Sequence, residues 1–345
     1  MTVPADQEWE VVHSTAWSGG TPAISVAVST WRRAGFLPDL IACLEAQTLA
    51  LHRFEVVVVD DASPDETWAT LTGVASRTTL RLLAARMPAN RGAAGGRNAA
   101  TSLCRAPIVA FTDDDCLPSR GWLSALEHAF ATGADAVQGR TVPEPGAERL
   151  AGPWDHSIWV TGPTPFFETC NLAYRRAWLE RVGGFDEGDA FINQRRISPF
   201  GEDAVLGSKL SAAGGRVRFA DDALVHHRYL PGTYSSHLRR RWQVGEFPGL
   251  ARRSRLVSDA LYHRVFLSRR TAACDAAIAS VVAALSWRRP WPLIATVPWL
   301  RMCWQEAARR PGAPDARRLG QVAAGDLVAL AALVKGSLRH RRPVL

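Results

Sequence analysis

Three consecutive carboxylates, Asp113, Asp114 and Asp115, follow the apolar run "PIVAFT" directly. Adjacent like charges disfavour one another unless a positive charge sits among them. A solvated turn closed by Pro118 is one home for such a run. The other is a divalent-cation site at the carboxyl end of a sheet strand, where open α/β sheets hold their ligands. Three further clusters accompany it. "VVVVDDAS" ends a β-branched run in Asp60 and Asp61. "NRGAAGGRN" (90–98) precedes a helical pattern, and its backbone amides with Arg91 or Arg97 suit an anion; lacking GxGxxG and GxxxxGK, it reads equally as a turn with packing glycines. "FGEDAVLG" sets Glu202 and Asp203 at a helix start, where acidic residues also simply favour the positive end of the dipole. His226 and His227 close a β-rich run, and adjacent strand residues face opposite ways, so one of the two reaches a shared site.

The elements that must position these groups follow from the periodicity. "AISVAVST", "FEVVVVDDAS", "LRLLAAR", "PIVAFTDDD" and "DAVQGRTV" read as strands, the second as one buried on both faces. "FLPDLIACLEAQTL", "DETWATLTGVASRT" (with Ser63 and Asp65 as candidate caps), "GGRNAATSLC" and "GWLSALEHAFA" read as the helices between them. This alternation predicts a doubly wound parallel sheet. Residues 143–165, rich in Pro, Gly and Trp, read as a loop over it, "GEDAVLGSKLSAAGG" as a helix and "RVRFADDALVHH" as a final edge strand. The expected organisation is a loose lead-in over 1–21, an α/β catalytic domain over 22–230 and a basic helical region over 231–345.

From about Ile24 to His227 the chain resembles a family-2 glycosyltransferase of the GT-A fold, through the ordered series "VSTWRR", "AQT", "VVVVDDAS", "NRGAAGGRN", "FTDDDCLP", "GGFDE", "FGEDAVLG" and "VHH". The resemblance implies a Rossmann-like, mostly parallel sheet flanked by helices, here with a C-terminal Arg-rich helical extension. It implies transfer of a sugar, with inversion, from a UDP- or dTDP-linked donor to a hydroxyl acceptor, a lipid-linked or cell-envelope glycan among the candidates. Thr30, Trp31, Arg33, Asp61, Arg97 and Asp114 fall on the nucleotide side, Asp61 accepting from the base, Arg97 reaching the diphosphate or ribose and Asp114 the ribose. Asp113 and Asp115 would hold Mn²⁺ or Mg²⁺, and His226 as an imidazole ligand tilts the choice toward Mn²⁺. Asp203 takes the general-base role, with Glu202, Asn171 and Trp242 on the acceptor side. Trp31 and Arg32 stand where the family pattern has Tyr and Asn. A sugar nucleotidyltransferase shares the sheet but carries a glycine loop after its first strand, which "VSTWRR" lacks. A glycoside hydrolase also pairs carboxylates but needs no diphosphate cradle.

Composition sets the bounds. The 345 residues are 47% apolar and 21% charged, as in a globular protein. Six cysteines without a CxxC pair fit a reducing compartment. "MTVPADQEWE" lacks the basic start and apolar run of a signal peptide, and no 18-residue uninterrupted apolar run suggests a simple membrane-spanning helix. The expectation is a cytoplasmic enzyme. From Arg228 onward there are 21 Lys and Arg against 6 Asp and Glu, a balance of +15, whereas the preceding chain is at −7. "HLRRRW" and "ARRSR" would permit nucleic-acid binding, but no zinc pattern or recognition module accompanies them. Residues 275–304 combine apolar segments with Trp287, Trp291, Trp299 and Trp304. They read either as a subdomain packed on the protein or on a second subunit, or as an in-plane contact with an anionic membrane surface on the cytoplasmic face.

Overall fold

The computed structural model describes residues 9–17, 19–188, 191–192, 195–196, 200–309 and 315–345. The chain divides into two compact units, one running to Pro145 with Ser157–Arg228, the other formed by Gly146–His156 with Tyr229–Leu345. Part of the loop expected over the sheet thus belongs to the second unit.

In the first unit the strands are β1 (Glu10–His13), β2 (Ile24–Thr30), β3 (Phe54–Asp60), β4 (Leu82–Arg86), β5 (Ile108–Thr112), β6 (Cys116–Pro118), β7 (Ala136–Pro143), β8 (Asn171–Arg175), the short pair β9 (Phe191–Ile192) and β10 (Arg195–Arg196), and β11 (Val217–His227). The helices are α1 (Leu37–Glu45), α2 (Thr67–Ala75), α3 (Gly92–Leu103), α4 (Trp122–Ala131), α5 (Arg176–Val182) and α6 (Glu202–Ala212). Nine strands form one sheet in the order β1-β4-β3-β2-β5-β8-β7-β11-β6.

The sheet is mixed. β4, β3, β2 and β5 run parallel, as does β7 with β11. β8 enters antiparallel between β5 and β7. Parallel neighbours need a crossover, usually a helix; β8 follows the irregular excursion after β7 instead, so its direction is free. β1 was expected to be part of a loose lead-in, and it pairs antiparallel along β4. β11 is not the edge, because the three-residue β6 pairs beyond it. Every residue of β3 is buried, since helices cover both faces. Val26, Val28, Val56, Val58 and Leu82 pack there against Leu37, Leu40, Leu44, Leu71 and Trp122.

The second unit holds α7 (Tyr234–Gln243), α8 (Phe247–Arg253), α9 (Arg255–Ala260), α10 (Arg269–Trp287), α11 (Val297–Arg309) and α12 (Ala316–His340). Capping boxes open α7 through Thr233 and Ser236 and α10 through Ser268 and Thr271. By length and composition α12 could cross a bilayer, with 25 residues and an 18-residue stretch of mean hydropathy 1.4; scanning for uninterrupted apolar runs missed it because single polar residues punctuate it. One of these, buried Asp326, accepts from Arg241 Nη2 (3.0 Å), Arg270 Nε (2.9 Å) and Trp299 Nε1 (2.9 Å). That network ties α12 to α7, α10 and α11 of the helical unit.

Candidate active site

β2 is the point where the chain order reverses, with β3 on one side and β5 on the other. Ligands in open α/β sheets lie at such switch points, beyond the strands' carboxyl ends. The β2–β5 register sets Ala27 opposite Phe111. Continued three residues, it brings Thr30 level with Asp114, and Thr30 Oγ1 donates to Asp114 Oδ2 at 2.7 Å. The acidic run therefore occupies the crevice.

Two guanidinium groups serve it. Arg33 lies 3.8 Å from Asp114 and 3.6 Å from Asp115. Its backbone is held by Thr67 Oγ1, which accepts from Arg33 N at 3.0 Å. Trp31 stacks under the Arg32 guanidinium, 5.2 Å from the ring centroid. On the other side Arg97 donates from Nη2 to Asp113 (3.2 Å) and from Nη1 to Glu202 (2.9 Å). Arg97 can reach in because α3 lies close on the sheet: a Cβ on Gly96 would overlap Ser29 of β2. Gly201, in the left-handed region at φ 72°, turns the chain into α6 and leaves Glu202 and Asp203 in its first turn.

Electrostatics separate the carboxylates. Burial pushes Asp114 up to about 7 against the Thr30 hydrogen bond, with the Asp115 charge adding to it. Asp115 is raised by burial and then by Asp113. Burial, and next the Glu202 charge, push Asp203 up to about 7, although Arg97 pulls the other way. Glu202 is held by Arg97, whereas the hydrogen bond found for the Asp203 carboxylate comes from the adjacent Ala204 amide.

A cation has a fitting place here. Asp115 Oδ1 is buried and accepts no hydrogen bond, and His227 Nε2 stands 3.5 Å from it. Asp115, Cys116 and His227 present ligand atoms within 4.8 Å of one another. Burial raises the Cys116 thiol well above its usual range, so a neutral thiol lies beside oxygen and imidazole donors. That set suits a hard or borderline divalent ion rather than a thiolate-seeking one.

Models of two families match the chain, Glycosyl transferase family 2 over residues 25–185 and Glycosyl transferase family group 2 over residues 108–305. The chain belongs to the family-2 glycosyltransferases. It is similar to validoxylamine A glucosyltransferase of Streptomyces hygroscopicus subsp. jinggangensis, 28% identical over 228 residues, 56% of this chain and 52% of that one. It is also similar to succinoglycan biosynthesis protein ExoM of Rhizobium meliloti, 25% identical over 293 residues, 71% of this chain and 92% of that one. The chain thus spans about half the length of the first of these relatives. Its fold is that of a mannosyltransferase from Pyrobaculum calidifontis solved with GDP-Man and Mn2+, with a TM-score of 0.56 at 23% identity over 97% of this chain and 91% of that one.

Several of the expected residues lie elsewhere than beside the acidic run or are engaged within the protein. His226 does not face the acidic run. It is turned toward Pro143 O, 3.3 Å from Nδ1, and His227 takes its place. Asn171 is not open to an acceptor, because Trp122 Nε1 donates to it (2.9 Å) and it donates to the carbonyls of Arg140 (2.8 Å) and Ala223 (2.7 Å). Trp242 belongs to the second unit and is exposed there, with Lys335 Nζ 5.1 Å from its ring. Asp61 Oδ1 accepts from Arg91 N (2.7 Å) and Oδ2 from Gly92 N (2.8 Å), so Asp61 ties down the start of α3. Those amides are therefore spent within the protein, and Arg91 is too, paired with Glu187 at 2.6 Å. Of the two arginines in the glycine-rich stretch, only Arg97 meets the acidic run. Sequence reasoning missed Arg228, whose amide donates to Asp115 O (3.1 Å) while its side chain pairs with Asp39 and covers Phe36.

Proposed function

We propose that the chain is an inverting, cation-dependent glycosyltransferase that moves a sugar from a nucleotide-diphosphate donor, UDP- or dTDP-linked, to a hydroxyl of a glycan acceptor. The observation that carries this reading is the division of labour at the start of α6. Glu202 is neutralised by Arg97, while Asp203 has no ion pair among the described residues and is pushed up to about 7 by burial and then by the Glu202 charge. A base is most effective when its pKa lies near the operating pH. Asp203 accepts the acceptor hydroxyl proton as that oxygen attacks the anomeric carbon and the bond to the β-phosphate oxygen breaks. One displacement inverts the centre and releases nucleoside diphosphate. Arg97 and Arg33 hold the donor phosphates, and Thr30 and Trp31 line the nucleoside end. Asp113, Asp115 and His227 would hold Mn²⁺ or Mg²⁺, which supplies a Lewis acid against the charge that builds on the diphosphate. The Mn2+ in the mannosyltransferase from Pyrobaculum calidifontis supports that choice of ion.

A donor panel tests the reading. The expected result is nucleoside diphosphate release from one UDP- or dTDP-sugar with Mn²⁺, and formation of a glycoside when a glycan is added. Release of free sugar from an unactivated glycoside, with no turnover of any nucleotide sugar, would overturn it.

A further inference from the structure

The second unit carries an apolar surface that no part of the proposed reaction uses. α10 ends exposed, with Val281, Val282 and Leu285 on one face and Trp287 at its C-terminal end. A short 3-10 helix over Trp291–Thr296 follows and exposes Trp291, Leu293 and Ile294. α11 then presents Val297, Leu300 and Trp304, spaced three and four apart and so on one stripe. These are not marginal exposures: Leu285 is 74% accessible, Ile294 75%, Trp291 65% and Trp287 58%. Apolar side chains of this size, collected on packed neighbouring elements, mark a binding surface.

α11 shows that the stripe is not an unfinished core. The adjoining side is already used, with Cys303 and Ala307 buried and Trp299 donating to Asp326. The apolar arc of the helix is therefore wider than its packed stripe, and the part beyond it is bare. At the tip Trp287 and Trp291 lie 5.5 Å apart between ring centroids. Between them sit Arg288 and Arg289, both exposed, and Arg301 is exposed one turn after Val297 on the bare stripe. Tryptophan with arginine around a partly apolar face is the composition of an element lying in a bilayer interface, rings at headgroup depth and guanidinium groups on lipid phosphates.

We propose that this α10–α11 hairpin docks in the plane of an anionic phospholipid surface. Charge selects the occupant. A second copy of the chain, packed through the same patch about a twofold axis, would bring two sets of Arg288, Arg289 and Arg301 into one interface. Anionic headgroups neutralise them instead, and the balance of +15 from Arg228 onward extends the attraction beyond the hairpin.

Flotation of the full-length protein with phosphatidylcholine vesicles, with and without 30 mole percent phosphatidylglycerol (about a third anionic lipid,), tests this directly. The expected result is binding to the anionic vesicles at low salt, release by added salt, and a blue shift of tryptophan emission. Arg288→Ala/Arg289→Ala weakens binding about fivefold for each charge removed, and Trp287→Ser/Ile294→Ser weakens it more while removing part of the blue shift. Donor hydrolysis in solution, unchanged in both variants, reports that the fold is intact and tests the catalytic reading separately. Failure of the wild-type protein to float at low salt would overturn the proposal. So would a concentration-dependent dimer in light scattering that Trp287→Ser/Ile294→Ser dissolves, because the patch would then belong to a second copy.

Discussion

Asp203→Asn removes the only carboxylate of the α6 turn that is free of an ion pair with Arg97 among the described pairs. The variant keeps size and shape, and the Ala204 amide can still donate to its side-chain oxygen. What it loses is proton acceptance, which typically costs ~10²–10⁴-fold in turnover. Titration at about 7 makes the wild-type profile specific. Below that value kcat/KM falls about tenfold per pH unit as the base fills with protons. Asp203→Asn should flatten that limb as well as lower it. Glu202→Gln is the control with the opposite signature. The Glu202 charge raises Asp203, and Arg97 lowers it. Neutralising Glu202 removes the first influence and frees Arg97, so the midpoint should move to lower pH with much of the activity kept. Nucleoside diphosphate release measured from pH 5 to 9 (about four units around the midpoint,), with donor binding followed by calorimetry, reads all three proteins. An Asp203→Asn enzyme with wild-type turnover and an unchanged acid limb would refute the assignment, as would a dead Glu202→Gln enzyme.

The two histidines give a paired test of the cation site: His227→Ala should weaken Mn²⁺ binding in an electron paramagnetic resonance titration, and His226→Ala should leave it unchanged. Asn171→Ala should cost about 1–3 kcal/mol for each buried group it strands, seen as a lower urea midpoint, with kcat/KM per folded molecule preserved; a selective rise in acceptor KM would restore Asn171 to the acceptor side. Asp61 and Asp203 are both raised to about 7, so the folded chain binds more protons than the unfolded one between about pH 4 and 7, and stability falls as pH rises through that window. The cation-free protein should melt at higher temperature at pH 5.5 than at pH 8 (roughly the two sides of that window,); a melting temperature that rises over this range would contradict those shifts.

The parts of this molecule legible in the sequence are those where one local pattern suffices. "FEVVVVD" can be little else than a strand covered on both faces, and β3 is buried throughout. The acidic run, Arg97 and the α6 start were legible by type and by their place at element ends. The choice between His226 and His227 was not. β11 carries a register shift between Ala220 and Leu224, and such a bulge changes which residues share a face. Counting alternation along the strand therefore cannot give the parity at its end; the pairing of His227 with Cys116 on β6 gives it. β6 itself, three residues long, is too short to show a period. The glycine-rich stretch misled in another way. Its arginines look alike in sequence, yet Arg91 is consumed by Glu187, 96 residues away, and no local rule reports a partner at that distance.

Charge in the crevice leads to a final expectation about donor binding. Asp113, Asp114, Asp115, Glu202 and Asp203 face it, with Arg33 and Arg97 as the cations paired among them. Burial with mutual repulsion pushes Asp114 and Asp203 up to about 7 and raises Asp115. A nucleoside diphosphate brought in alone would add negative charge where like charges already compete, each close pair costing about 4 kcal/mol at an effective dielectric of 20. Brought in with a divalent ion, it arrives with most of its charge cancelled, and the carboxylates gain the positive partner that the two arginines only partly provide. Nucleotide affinity should therefore depend steeply on the cation, by tenfold or more, about 1.4 kcal/mol. Titrating UDP and dTDP into the protein by calorimetry, in EDTA and then in Mn²⁺, measures it. Asp115→Asn lowers the acidity of the crevice and removes a ligand, so its nucleotide affinity should respond little to Mn²⁺ in either direction. Equal wild-type affinity in EDTA and in Mn²⁺ would mean that Arg33 and Arg97 suffice for the diphosphate and that the acidic run serves some other purpose.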